Sequence, residues 1–121
     1  MRTTIIITAL TATSVLAFPA ELKSRQNPNP APNTQSCGAS DLIDQVIYTI
    51  FIGEPFNQDT CNSAVAALTA AFNPSNPGCL TSGNGDITRI GFSTDRNNGN
   101  TINQVLDAQF PAVNGFNCPN F

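Results

Sequence analysis

Apolar residues that recur at helical spacing predict a helix over residues 59–72. They lie three, four, seven and eleven positions apart and share one helical face; they are Cys61, Ala64, Val65, Leu68 and Phe72. Asp59 or Thr60 is the expected cap at its start. The same spacing predicts a second helix over residues 101–110, and Pro111 ends it.

Alternating polar and apolar residues predict strands elsewhere. Residues 86–94 (DITRIGFST) alternate, and they follow the short run 79–81 across the turn signal Asn84-Gly85. Two such runs joined by an Asn-Gly turn are predicted to form a hairpin. Residues 116–118 are the candidate for a short last strand.

The segment before the first helix is ambiguous. Apolar residues between 42 and 51 have helical spacing, yet residues 46–52 (VIYTIFI) are almost all β-branched or aromatic, which suits a buried strand. We predict a turn at 39–44 and a strand at about 46–52. The order of elements is then β-α-β-β-α-β, an α+β fold in which both helices pack on one sheet as a small two-layer sandwich. The alternative is a mainly helical bundle with one hairpin.

The chain divides into four parts. Residues 1–17 combine a basic start with a short apolar stretch and small residues at the end, the pattern of a secretory signal peptide. Residues 18–25 end in a single arginine, as a short propeptide does. Residues 26–36 are rich in Pro and Asn and are predicted to be a disordered, solvated tail. Residues 37–121 form the globular domain.

Charge limits the partners of the domain. From Gln26 onward the chain has seven acidic residues, two arginines, no lysine and no histidine, a net charge of −5. Nucleic-acid binding requires several cations to neutralise phosphates, so this class of partner is excluded. No second apolar run follows the signal peptide, so we expect no membrane anchor. The expected location is extracellular.

Four cysteines, Cys37, Cys61, Cys79 and Cys118, all lie in the predicted domain. An even number of cysteines in a small secreted domain indicates disulfides. Their separations of 24, 18 and 39 residues contain no Cys-x-x-Cys pair, and without histidine neither a zinc site nor a cysteine nucleophile is expected. No cofactor is expected.

The predicted layout favours the pairs Cys37–Cys79 and Cys61–Cys118. Cys61 lies near the start of the first helix, about 16 Å from the end of that helix. For Cys61 to meet Cys79, the residues after the helix would have to run straight back, because bridged Cα atoms lie about 4.4 to 6.8 Å apart. The nested pairs Cys37–Cys118 and Cys61–Cys79 remain the alternative.

Several features together resemble a known class of protein. The signal peptide, the junction ELKSRQ, the Pro/Asn-rich tail, the even cysteines and the order of elements resemble small secreted ascomycete proteins of the candidate-effector type. More loosely, they are similar to the ferredoxin-like sandwich of some plant-pathogen effectors and of the killer toxins of smut fungi. The resemblance implies a secreted fungal protein that acts on a host or a competitor.

Candidate catalytic residues are few. Asp41 and Asp44 form the only close acidic pair and would share a face of a helix, but a helix cap or solvated turn is the simpler interpretation. Acid-base catalysis would favour a histidine, and there is none; Tyr48 and Arg89 remain as polar candidates. We therefore predict that the protein is not an enzyme and has no catalytic residue.

A binding role is the prediction that remains. The domain has seven phenylalanines, most of them expected in the core, and any exposed aromatic patch would suit recognition of an extracellular protein or glycan by a monomer. One alternative is a small secreted enzyme that uses acidic residues on cell-wall polysaccharide. Another is a lipid or sterol carrier with a cavity between its helices.

Overall fold

The computed structural model describes residues 27–121, which form one antiparallel sheet of four strands and two helices. The predicted α+β sandwich is confirmed, and the alternative of a helical bundle is wrong. The predicted signal peptide (1–17) and propeptide (18–25) lie outside the described residues. In chain order the elements are strands β1 (Gln35–Asp41) and β2 (Val46–Ile52), helix α1 (Gln58–Phe72), strands β3 (Ser75–Ser82) and β4 (Ile87–Thr94), and helix α2 (Gly99–Gln109).

The strands lie in the order β1-β2-β4-β3, and every neighbouring pair is antiparallel. The predicted strand at 46–52 and the predicted hairpin are present as β2 and as the β3–β4 pair. Residues 116–118, however, have no regular secondary structure, and the fourth strand is β1. The observed order is therefore β-β-α-β-β-α, which becomes the predicted β-α-β-β-α-β when β1 is moved to the end of the chain.

Strand β1 has the sequence QSCGASD and contains no large apolar side chain, so its composition does not indicate a strand. It is held by a ladder with β2 that runs along its whole length. Its buried apolar side chains are Cys37 and Ala39. The sequence predicts a turn at 39–44, but the chain turns at residues 42–45. There the Leu42 N–H donates to the Gln45 carbonyl at 2.8 Å.

The hydrophobic core lies between the two helices and one face of the sheet. Helix α1 contributes Cys61, Ala64 and Leu68, and α2 contributes Ile102 and Leu106. The largest fully buried side chains of the sheet are Val46, Tyr48, Ile50, Ile52 and Ile90. All of these sheet residues have even numbers in β2 or β4, as the two-residue period of a strand requires.

Helix α1 matches the first predicted helix, but its start is capped differently. The side chain of Asn57 accepts a hydrogen bond from the Thr60 N–H at 3.0 Å, so the cap is neither Asp59 nor Thr60. The helix ends at Phe72, and the next residue, Asn73, caps it with a left-handed φ of 52°. Helix α2 begins at Gly99, earlier than the predicted start.

The N-terminal segment, residues 27–34, is mostly exposed but is hydrogen-bonded to the end of β2, whereas the sequence predicts a disordered, solvated tail over residues 26–36. Pro30 is buried in this segment, and the last residues of the predicted tail belong to β1. The predicted domain boundary at Cys37 therefore falls inside a strand. Composition did not reveal this, because backbone pairing rather than apolar surface holds the segment.

Gly53, which directly follows β2, pairs with the N-terminal segment through its backbone. Its carbonyl accepts from the Asn33 N–H and its N–H donates to the Thr34 carbonyl, both at 2.8 Å. A Cβ atom at Gly53 would overlap the carbonyl oxygen of Ala31. Glycine is required here because the two backbones approach so closely.

All four cysteines form disulfides, as predicted, but the predicted pairing is wrong. Cys37 is bonded to Cys118 and Cys61 to Cys79, which is the nested alternative. The Cα atoms of the two pairs are 5.0 and 5.6 Å apart. Both distances lie within the usual range for a disulfide.

The Cys61–Cys79 pair forms because β3 begins directly after α1. The helix rises about 16 Å from Cys61 to Phe72. The strand returns beside it from Ser75, and the four steps to Cys79 cover about 13 Å. The strand itself therefore makes the return that the prediction assigned to a loop.

Candidate binding site on the open face of the sheet

The helices cover one face of the sheet, and we call the opposite face the open face. It carries the odd-numbered residues of β2 and β4 and the even-numbered residues of β1 and β3. Two large apolar side chains on it are exposed: Ile47 by 42% and Leu80 by 57%. Apolar side chains exposed in this way on a sheet are available for contact with a partner.

A row of small residues crosses the open face at right angles to the strands. The register places Gly38 of β1 opposite Thr49 of β2, Thr49 opposite Gly91 of β4, and Gly91 opposite Gly78 of β3. We call these four residues the glycine row. Because glycine has no side chain, the backbone is partly exposed at Gly78 and Gly91, whereas Gly38, at the β1 end of the row, is buried.

Three residues of the glycine row, Thr49, Gly91 and Gly78, form the floor of a groove between the side chains on either side of them. Ile47 and Ser93 border it on one side, and Leu80 and Arg89 on the other. The groove has a volume of about 350 Å³. It is an open trough, so its shape suits an extended chain or a projecting apolar side chain.

Arg89 supplies the charge of the groove. Its guanidinium carbon lies 6.0 Å from the centre of the Phe51 ring, a cation-π distance. The other arginine, Arg96, forms an ion pair with Asp41, and this is the one ion pair within residues 27–121. The positive charge of Arg89 is therefore free of any carboxylate of the described residues and can bind an acidic group.

The acidic pair considered from the sequence does not share a face of a helix. Asp41 ends β1 and binds Arg96 through both carboxylate oxygens. Asp44 lies exposed in the turn between β1 and β2, not on a helix with Asp41. Across residues 27–121, no group of three His, Cys, Asp or Glu side chains is placed to hold a metal ion.

Tyr48, another polar candidate, faces the core. Its side chain is buried and its hydroxyl donates to the Pro119 carbonyl at 2.6 Å. Burial raises the pKa of Tyr48 above its ordinary value; a backbone hydrogen bond at Phe121 acts in the opposite direction, and the charge of Asp41 raises it further. The side chain of Tyr48 therefore anchors the C-terminal segment on the core side of the sheet, opposite the groove.

The tip of the β1–β2 hairpin is a second exposed apolar feature. Leu42 is 49% and Ile43 is 93% exposed. The charged groups Asp41 and Asp44 flank them. The tip has no concave surface of its own, so the groove is the stronger candidate site.

The sequence did not reveal the groove, because its glycines are far apart in the chain and meet only in the strand register. The chain matches no protein-family model, no curated protein and no solved structure. Within the described residues, no helix is long and apolar enough to cross a bilayer. A functional assignment therefore depends on the groove and on the sequence patterns.

Proposed function

We propose that this chain is a secreted, effector-like fungal protein that binds an extended segment of another extracellular protein in the open-face groove, without catalysis. The glycine row carries this proposal, because it gives a partner direct access to the sheet between Ile47 and Leu80. The two disulfides and the predicted signal peptide support an extracellular location. The resemblance to secreted ascomycete proteins supports the effector role.

The residues around the groove favour a protein partner over a glycan. Binding sites for sugars commonly present aromatic rings for stacking, but the chain has no tryptophan and its single tyrosine, Tyr48, is buried. Ile47 and Leu80 suit apolar side chains of a partner, and Arg89 suits a carboxylate. A peptide with apolar residues and one acid combines these features.

Substitutions that fill the groove test this function. In Gly78→Val and Gly91→Val the added side chain stands on the floor; a Cβ at Gly78 meets no atom within 4 Å, and one at Gly91 comes within 3.7 Å of a single backbone oxygen. Both variants should therefore fold. Ala66→Val, on the exposed surface of α1, adds similar bulk away from the groove and is the matched control.

The assay captures partners from host extracellular fluid and then measures the affinity of a purified partner by calorimetry. We expect the chain and Ala66→Val to bind one protein equally, and the two groove variants to bind at least tenfold more weakly. Equal binding by all four would overturn the groove as the site. Binding that a soluble wall polysaccharide abolishes, with no protein captured, would replace the protein partner with a glycan.

A further inference from the structure

Four large apolar side chains are exposed in the part of the chain that the structure describes, and they lie in two pairs. Leu42 and Ile43 belong to the tip of the β1–β2 hairpin, which projects beyond the end of the two strands. Ile47 and Leu80 border the groove, which is concave. The first pair can therefore fit against the second, and one contact of tip with groove would cover all four side chains.

The hairpin tip and the groove also carry opposite charges. Asp44 lies exposed in the tip, and Arg89 borders the groove. The one ion pair within residues 27–121 joins two other groups, Arg96 and Asp41, so neither charge is neutralised by a described residue. An acid beside two apolar side chains is the combination that the groove suits.

The tip cannot reach the groove of its own chain. The β1–β2 ladder runs up to the turn, and the Leu42 N–H bond to the Gln45 carbonyl extends it by one more pair. Arg96 fixes the base of the tip through the carboxylate of Asp41 and the Leu42 carbonyl. Thr49 of the groove floor is four residues from Gln45 along the strand, about 13 Å away. Because the tip is held in line with the sheet, only a second copy can bring it to a groove.

We propose that two copies of this chain associate through their open faces, with the hairpin tip of each copy seated in the groove of the other. The alternation that places Ser40 and Ile47 on the open face also places Leu42 on that side. When the two faces stack with their strands in opposite directions, each tip lies over the other groove, and the two Ile47 side chains meet near the two-fold axis. Such a reciprocal contact closes on itself and gives a dimer, not a filament.

The charge distribution of the open face is that of an interface. Arg89 is the one charged residue that the strand register places on this face. The centre of a protein interface is poor in charged residues, and arginine is the charged residue that is enriched there. The face therefore suits contact with a second protein surface, and the second copy supplies the acid that Arg89 lacks.

The dimer would cover the same groove that the proposed extracellular partner uses. A second copy and a partner would then compete, so that concentrated protein keeps the groove closed and dilution opens it. The inference goes beyond the proposed function and does not depend on it, because self-association requires no partner.

Sedimentation velocity of the secreted chain at rising concentration tests the inference. We expect the sedimentation coefficient to rise from that of a monomer to that of a dimer, and no further, below about 1 mM. Leu42→Ser with Ile43→Ser removes the apolar tip and Gly91→Val fills the groove floor, so each variant should weaken dimerisation by at least about tenfold. Ala66→Val, on the exposed surface of α1, is the control and should dimerise like the unchanged chain.

Exchange of the two charges tests the pairing of tip with groove. Asp44→Arg and Arg89→Glu should each weaken dimerisation about tenfold, because every dimer contains two such pairs. The chain with both substitutions should dimerise again, to within about threefold of the unchanged chain. Asp59→Arg, at the exposed start of α1, makes the same change of charge as Asp44→Arg away from both surfaces and should leave dimerisation unchanged.

Three outcomes would overturn the inference. The first is a chain that remains monomeric up to about 1 mM. The second is growth beyond a dimer, since a reciprocal contact closes. The third is a dimer that persists when the tip is substituted or that the double charge exchange fails to restore. None of these outcomes bears on the proposed function, which is measured by the capture of an extracellular partner.

Discussion

The side chain of Asn103 pairs with both backbone groups of Cys118. Its Nδ2 donates to the Cys118 carbonyl at 3.2 Å, and its Oδ1 accepts from the Cys118 N–H at 2.6 Å. The amide thus replaces the neighbouring strand that residues 116–118 lack. Because Cys118 is bonded to Cys37, this contact also fixes the C-terminal segment between α2 and β1.

Replacing Asn103 with Ala should lower the free energy of unfolding by about 2 kcal/mol, because two backbone groups near a buried cysteine lose their partners. Chemical denaturation of the oxidised chain measures this change. Gln104→Ala, at the neighbouring exposed position of α2, is the control and should change stability by less than about 0.5 kcal/mol. Equal stability of the two variants would mean that the Asn103 contact does not hold the C-terminal segment.

Gly53→Ala should lower the free energy of unfolding by about 1–3 kcal/mol through overpacking, since the new Cβ would overlap the Ala31 carbonyl. In a chain shortened to begin at Pro32, the same substitution should have little effect, because Ala31 is gone. Gly78→Ala has open space around its Cβ and is the control in both backgrounds. An equal effect of Gly53→Ala in the long and the short chain would show that the N-terminal segment does not pack there.

Local patterns predicted the elements that bury their own apolar surface. Helix α1 has a clear apolar face, and β2 is nearly all β-branched or aromatic, so each could be read from its own residues. Strand β1 could not, since its pairing depends on the edge that β2 presents. The candidate site was hidden for the same reason, because Gly78 and Gly91 become one surface only in the register of β3 and β4.

The two disulfides should contribute unequally to stability. They close segments of 81 residues between Cys37 and Cys118 and of 18 residues between Cys61 and Cys79. On the chain-entropy account, their removal costs about 4.5 and about 3.2 kcal/mol, respectively. We expect the double variant Cys37→Ala with Cys118→Ala to melt at a lower temperature than Cys61→Ala with Cys79→Ala.

Peptide mapping of the unreduced chain checks the pairing on which that prediction depends. Cleavage after Phe72 separates Cys61 from Cys79, so the two peptides should remain joined until reduction. A peptide that joins Cys61 to Cys118 would contradict the observed pairing and the position of β3 beside α1. The melting experiment would then compare the wrong pairs.

The single tyrosine of the chain allows a direct test of the buried hydroxyl. Burial raises the pKa of Tyr48, so in the folded protein it should lose its proton above the ordinary value of about 10. There is no tryptophan, and the ultraviolet absorbance of tyrosinate therefore reports on this residue alone. A titration midpoint that is the same in the folded chain and in denaturant would contradict the burial.

The same shift makes stability depend on pH in one direction. The folded state holds the Tyr48 proton more tightly than the unfolded state, so the stabilisation is complete below about pH 10 and is lost as pH rises through the folded pKa. Tyr48→Phe should remove this alkaline loss, because phenylalanine has no proton to release. At neutral pH it should lower the free energy of unfolding by about 1 kcal/mol, since the hydrogen bond to Pro119 is lost. Denaturation curves of both chains at neutral and alkaline pH measure the two effects, and an equal alkaline loss in the variant would assign it to other groups.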